Sequence, residues 1–406
     1  MKKLISAALA SAMVLSLAAC GSTGSSESTS AATTGDSAAT AAATAEASAT
    51  DGTTPIKLGG IGPTTGSAAS YGIAVMQGEQ LAVDEINAAA GHTVFEFKFE
   101  DDEHDAEKSM NAYNTLKDWG MQALLGPVTS TPSLSVAGET VNDNMFMLTP
   151  SASAVDVVET GDNVFQMCFT DPNQGIVSAD CIAEKGLGTK IGVIYDSSDA
   201  YSMGIYNAFA EEATAKGLEV VTAVSFTSDN KSDLSTQVAK CQEAGADLVF
   251  LPIYYNEASQ ILIAADKVGY KPTFFGCDGM DGILTIEGFD TSLAEGLMLL
   301  CPFSATATDE TTQKFVSAYE AAYNETPIQF AADAYDCVYA IYECVQNGSI
   351  NGDMSASDMC DALKAQFTTM TFNGTTGEGQ TWSADGTVNK PPRVYVVTDG
   401  AYQTAE

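Results

Sequence analysis

Positive charge is scarce in this chain of 406 residues. Lys and Arg together number 17, against 53 Asp and Glu, for a formal net charge of −36. A surface of that sign repels phosphate backbones and anionic headgroups, which excludes nucleic acid as a partner and electrostatic docking on lipid. Histidine is scarcer still, with only His92 and His104, and neither stands in a motif with a Ser or Cys nucleophile. G-x-S-x-G, a Walker loop and G-x-G-x-x-G are all missing. Ser228 and Lys231 match S-x-x-K, but in a polar turn without the K-T-G element that belongs with it. No C-x-x-C pair occurs among the nine Cys, which removes the common zinc and dithiol motifs. No motif for catalysis, for a cofactor or for a metal is therefore read in these residues.

Apolar residues are plentiful at 45%, enough for real cores, and the length suits two to three domains. The first twenty residues read as a targeting segment. Lys2 and Lys3 precede an apolar run over residues 4–17, which is too short to span a bilayer. It ends in Leu17-Ala18-Ala19-Cys20, which resembles the lipobox of bacterial lipoproteins, where the Cys is diacylated and becomes the first mature residue. Residues 21–54 contain no Leu, Ile, Val, Phe, Tyr or Trp, so they read as a disordered Ala/Ser/Thr-rich tether reaching about 30 Å. Several of the eight remaining Cys sit in apolar runs and suit small buried hydrophobes; disulfides are the alternative.

From residue 55 strands and helices alternate. Apolar strands at 56–61, 93–100, 123–125, 145–148 and 164–169 are separated by helical stretches at 71–89, 105–119 and 130–142. A second run has strands at 190–195, 218–224, 246–251 and 273–276, with helices at 171–185, 201–216, 233–243 and 256–268. Helices at 309–324, 330–346 and 357–367 follow, then a late strand at 393–398. Repeated βα units imply parallel sheets covered on both faces, and two runs imply two Rossmann-like lobes.

The strands at 123–125 and 145–148 both run into small hydroxyl residues: Thr129, Ser130 and Thr131 after the first, Ser151 and Ser153 after the second. In an open α/β sheet, ligands sit at the carboxyl ends of strands, and hydroxyls beside a helix N-terminus suit a carboxylate. Turn and cap chemistry is the plainer account of the same residues, with Ser130 or Ser133 capping the helix. The acidic cluster at residues 100–105 is read as a strand end and a helix cap at Asp105 rather than a cation site. Tyr71, Tyr201 and Tyr254 fall just after strands, and Asp278 follows another in Gly276-Cys277-Asp278-Gly279, as a turn residue or a cation ligand.

Several stretches carry a family resemblance in order and spacing. They include Gly62-Pro63, Gly66, Tyr71-Gly72 and Glu85-Ile86-Asn87 near the start, and Leu125-Gly126-Pro127-Val128-Thr129-Ser130 and Thr149-Pro150-Ser151-Ala152-Ser153 at the two strand ends. Asp247-Leu248-Val249, Gly276-Cys277-Asp278-Gly279 and Ala334-Tyr335-Asp336 complete the set. Together they resemble the leucine/isoleucine/valine-binding proteins of ABC transporters. The resemblance implies an α/β type I periplasmic-binding fold, with two Rossmann-like lobes of parallel sheet joined by a three-strand hinge. It places lobe 1 at residues 55–172 plus 303–384 and lobe 2 at 173–302 plus 385–406.

The same resemblance implies an amino-acid site between closing lobes. Ser130 would hold the ligand carboxylate through its hydroxyl and N–H. The Ser151 carbonyl would accept from the ammonium, Ser153 would touch both charged groups, and Asp278 would pair the ammonium. Tyr71, Val128, Tyr201, Tyr254 and Phe330 would wall the side-chain pocket. Many family members have Glu where Asp278 stands, and the family's early disulfide has no Cys here. The implied partners are an amino acid, branched-chain or otherwise aliphatic, and ABC permease subunits. The implied form is a monomeric lipoprotein anchored through Cys20 at the outer face of a bacterial cytoplasmic membrane. The competing readings are the same fold holding an aromatic acid or amide, or a ligand sensor.

Overall fold

In the computed structural model, which describes residues 54–348 and 350–405, two sheets are laid down one after the other. The targeting segment, Cys20 and all but the last residue of the tether lie outside the described residues. The first sheet has five parallel strands. β1 (Ile56–Gly62) lies between β2 (Phe95–Asp101) and β3 (Ala123–Leu125), followed outward by β4 (Phe146–Thr149) and β5 (Val164–Gln166). β3 and β4 are buried at every position, which is why they read as short continuous apolar runs rather than alternating ones.

Helix α1 (Ala69–Ala90) covers this sheet and packs along α10 (Gln329–Asn347). Gly78 allows the close approach: a Cβ there would stand 2.2 Å from the Ala331 carbonyl oxygen. Helix α2 (Ala106–Trp119) starts on the expected cap, with Asp105 accepting from the Lys108 N–H at 2.9 Å. The cap expected of Ser130 or Ser133 does not form. Helix α3 (Ser130–Asp143) has Thr129 at its cap position, with no side-chain bond. The Ser133 hydroxyl donates to the Pro127 carbonyl at 2.9 Å, and the Ser130 hydroxyl accepts from the Ala154 N–H at 3.3 Å. Ser133 is taken up by the loop that precedes the helix and Ser130 by the loop after β4, so neither caps the helix.

The second sheet has seven strands. β8 (Leu248–Leu251) and β9 (Thr273–Gly276) run parallel beside β6 (Lys190–Asp196) and β7 (Glu219–Phe226). β10 (Met298–Cys301) extends them in parallel; β13 (Arg393–Thr398) and β14 (Ala401–Thr404) then finish the edge antiparallel. Parallel sheets therefore hold for the first lobe and for most of the second, which is mixed at one edge. β10, β14 and the hairpin β11 (Phe372–Gly374) and β12 (Gly377–Gln380) were not expected from the sequence.

The chain passes between the two sheets three times: between β5 and β6, after β10, and before β13. Each side has its own aromatic core. Phe146, Phe165 and Phe367 meet at 5.0 to 5.5 Å on the first side, and Phe209 stacks on Phe250 at 4.0 Å on the second. Fully burying one such ring contributes about 1.5–3 kcal/mol. At the last passage, the Trp382 indole N–H donates to the Gln166 carbonyl at 2.8 Å, and Lys390 is buried against Asp333 at 2.8 Å. All eight Cys in the described residues are buried and free. Among the described residues, no helix is long and apolar enough to cross a membrane.

Candidate ligand-binding site

The carboxyl ends of β3 and β4 are bound into one platform. The Thr149 hydroxyl donates to the Pro127 carbonyl at 2.6 Å and accepts from the Ala152 N–H at 2.9 Å. The Ser151 hydroxyl donates to the Val128 carbonyl at 2.7 Å. Gly126 makes the turn possible at the end of β3, with φ at +103 and no room for a Cβ, which would stand 2.4 Å from the Ile61 carbonyl oxygen. Across from this platform stand three second-sheet residues. Tyr201 opens α6 (Ala200–Ala215), Tyr254 precedes α8 (Tyr255–Lys267), and Asp278 sits in the turn after β9. Tyr71 from α1 and Phe330 from α10 close the remaining side, their rings 4.3 Å apart.

These elements line a small, narrow cavity. Eight of the nine predicted residues line it: Tyr71, Val128, Ser130, Ser151, Tyr201, Tyr254, Asp278 and Phe330. The ninth, Ser153, lies behind the lining, fully buried, with its hydroxyl accepting from the Gln174 amide at 3.4 Å. Thr129 and Gly279 complete the lining, although the sequence reading assigned neither of them to it. Gln174 was also unforeseen: its Oε1 accepts from the Asp278 N–H at 3.1 Å, which links Asp278 to Ser153. A polar residue in the first turn of a helix carries no signal that separates such a bridge from ordinary solvation.

Asp278 dominates the electrostatics. It is 3% exposed, and burial pushes its carboxyl up to about 7, against the pull of the Tyr201 hydroxyl, which donates at 2.7 Å. Among the described residues no Lys or Arg forms an ion pair with it; Lys390 pairs with Asp333 and Lys231 with Glu257. A carboxyl raised in this way stabilises the folded chain most in acid, and that contribution is lost as pH rises through about 7. A ligand cation would supply the missing counter-charge. The walls beside it are aromatic: Tyr201 stacks on Tyr254 at 4.8 Å, and Tyr71 meets Tyr254 edge-on at 5.7 Å.

The two sides of the cavity touch directly. The Tyr71 hydroxyl donates to the Gly279 carbonyl at 2.5 Å and accepts from the Tyr255 N–H at 3.1 Å. The Thr131 hydroxyl donates to Asp199 at 3.1 Å, and Lys231 reaches the Ser67 hydroxyl at 3.2 Å. The carboxylates of the 100–105 cluster hold turns: Asp102 accepts from the His104 N–H and the Ser109 hydroxyl, and Asp105 caps α2. A larger cleft of about 1670 Å³, open to solvent, is lined by Ser70, Asp281, Phe303 and Tyr402, among others, and by none of the predicted residues. The smaller cavity brings Asp278, Ser130 and Ser151 into one lining with Tyr71, Tyr201, Tyr254 and Phe330, a set of polar groups and aromatic walls that suits a small zwitterion.

The chain is similar to several known proteins. The chain is 31% identical over 228 residues to a Leu/Ile/Val-binding protein homolog of Brucella melitensis, a match covering 55% of this chain and 61% of that protein. It is 26% identical to the leucine-, isoleucine-, valine-, threonine-, and alanine-binding protein of Pseudomonas aeruginosa, over 78% of this chain and 84% of the relative. Among solved structures, it resembles the branched-chain amino acid transporter substrate binding protein LivJ of Streptococcus pneumoniae, in complex with isoleucine. That match has TM-score 0.78 and 28% identity, and covers 87% of this chain and 99% of that one. A benzoate-bound solute binding protein of R. palustris shares the fold at TM-score 0.77 and 20% identity, over 86% and 95% of the two chains. The sequence pattern of the family described as periplasmic binding protein matches residues 55–401, and the chain belongs to that family.

Proposed function

We propose that this protein is the extracytoplasmic solute-binding lipoprotein of an ABC importer, closing two lobes on an amino acid that is branched-chain or otherwise aliphatic. One observation carries the reading: a buried carboxylate without a cation, Asp278, faces a platform of serines across an aromatic-walled cavity. A zwitterion answers both poles. Its ammonium pairs Asp278 and the Ser151 carbonyl, and its carboxylate meets the Ser130 hydroxyl and N–H. Tyr71, Val128, Tyr201, Tyr254 and Phe330 hold the aliphatic side chain, and Ser153 steadies the site through Gln174. The relatives' names support this ligand class. An aromatic acid carries no ammonium and would leave Asp278 unpaired, which disfavours the alternative.

Lobe 1 takes in residues 55–172 plus 303–384 and lobe 2 residues 173–302 plus 385–406, with the three chain passages as the hinge. The family is one of solute-binding proteins, not of enzymes. The partners of the monomer are permease subunits in the membrane, and it is held near them by lipid on Cys20. Intact-mass analysis of membrane-extracted protein should find a diacylglycerol-bearing Cys20 as the first residue. A mature chain without lipid would remove the anchor from this account.

A thermal-shift panel of the twenty amino acids together with benzoate and other aromatic acids tests the ligand class. Ligand at about a hundred times Kd stabilises by about 2.7 kcal/mol. Leucine, isoleucine or valine is expected to raise Tm and benzoate to leave it unchanged. The opposite pattern would replace this reading with the aromatic-acid one.

A further inference from the structure

His104 has no part in the reading above, yet it stands between the two sides of the site. It lies in the turn between β2 and α2. There Glu103 and His104 have φ of +51 and +59, a left-handed backbone that residues other than glycine seldom adopt and that persists where other contacts hold it. Two aspartates hold it here. Asp101 accepts from the Glu103 N–H and Asp102 from the His104 N–H, both at 2.9 Å. Asp102 is itself fixed, being buried and accepting from the Ser109 hydroxyl at 3.0 Å. The turn thereby aims the imidazole at the site.

The ring has a contact on each side. Its Nδ1 shares a hydrogen bond of 2.8 Å with the Thr129 hydroxyl. Thr129 lines the cavity and directly precedes Ser130, which receives the ligand carboxylate in the reading above. The second contact is with Tyr254 on the second sheet's side, whose ring the imidazole meets edge-on at 5.5 Å. Tyr254 stacks in turn on Tyr201, and the Tyr201 hydroxyl donates to Asp278. His104 also faces a small polar hollow whose lining is otherwise drawn from the second side, Asp199, Lys231 and Glu257 among it.

We propose that His104 is a positioning residue for ligand binding, which sets Thr129 at the carboxylate end of the cavity and Tyr254 in its aromatic wall. The imidazole is not part of the cavity lining, so it acts through the two residues it contacts. Groups held in place before a ligand arrives lose less freedom when it binds, and the Thr129 bond gives the loop that carries Ser130 such a hold. The contact with Tyr254 lies across the two sides, so in the two-lobe reading closing makes it and opening breaks it. The role of His104 rests on the amino-acid reading above.

Calorimetry of the full chain with L-isoleucine tests this. His104→Gly removes the ring and suits the left-handed backbone. It should weaken isoleucine binding by about tenfold, the combined loss of one hydrogen bond and one aromatic contact. Thr129→Val should cost about threefold alone and nothing further in His104→Gly, because the bond it removes is already gone. Asn also adopts the left-handed region, and its amide reaches Thr129 much as Nδ1 does. His104→Asn should therefore bind more tightly than His104→Gly and about threefold more weakly than wild type, and it carries the test if the glycine variant does not fold. Urea unfolding without ligand separates fold stability from affinity. A histidine variant that unfolds more easily yet binds isoleucine as tightly as wild type would overturn this inference and leave the amino-acid reading standing, as would penalties that add in His104→Gly with Thr129→Val. No heat from the wild type with isoleucine or any other amino acid would overturn both.

Discussion

Asp278→Ala is expected to weaken binding of the best amino-acid ligand by roughly 30-fold to several thousand-fold. The ammonium loses most of its water when the cleft closes, and Asp278 is the only carboxylate in the lining. Truncating one partner of a buried, hydrogen-bonded charge pair costs about 2–5 kcal/mol, and each tenfold change in Kd is about 1.4 kcal/mol. The Tyr201 hydroxyl would also lose its acceptor, since it donates to Asp278 at 2.7 Å. Asp278→Asn preserves the shape and removes the charge, so it should weaken binding as well. A ligand without the ammonium should gain relative to the amino acid in Asp278→Ala, because no carboxylate is then left bare. Titration calorimetry on the three proteins checks this. Binding by Asp278→Ala within about threefold of wild type would make Asp278 a turn residue and nothing more.

The second large effect concerns stability. Lys390→Ala should destabilise the fold by about 3–5 kcal/mol near neutral pH, because it leaves a buried charge unpaired. Lys390 and Asp333 are both about 2% exposed and 2.8 Å apart, and Lys390 also donates to the Thr376 hydroxyl. Asp336 lies close by, held by the N–H groups of Thr375 and Thr376 at 2.7 and 2.8 Å. Burial already pushes the Asp333 carboxyl up to about 6, with Lys390 holding it down. Without the lysine it rises further, so the deficit should be greatest above that raised value and shrink as Asp333 protonates in acid. Urea unfolding at about pH 5 and about pH 8 reads both the size and the sign. A loss under about 1 kcal/mol at the higher pH would contradict the assignment.

Much of this architecture is legible in the sequence because local chemistry and global packing agree. The Asp105 cap, the short apolar strands of the first sheet and the end of α2 at Trp119 are examples. What escaped depends on distant partners. β10 is a four-residue run whose strand character comes from β9 and β13, and the β11–β12 hairpin is rich in Gly, Thr and Asn, without alternation. The Ser130 hydroxyl reads as a cap from its neighbours, yet it accepts from Ala154, twenty-four residues on.

The site itself was weakly written in local pattern. Tyr71 and Phe330 meet only because Gly78 lets α1 lie close against α10, and no spacing rule links them. Their assignment came from the family resemblance, and the cavity brings them together. Gln174 carried no signal at all, because polar residues in the first turn of a helix are expected there for capping alone.

The central claim is that a zwitterion lies across the cavity with its ammonium on Asp278. Parallel titration of the wild-type protein with L-isoleucine and with its des-amino analogue, which differs only in lacking the ammonium, tests it most directly. The account predicts measurable binding of isoleucine and a loss of at least about 30-fold for the analogue. Equal or tighter binding of the analogue would contradict it.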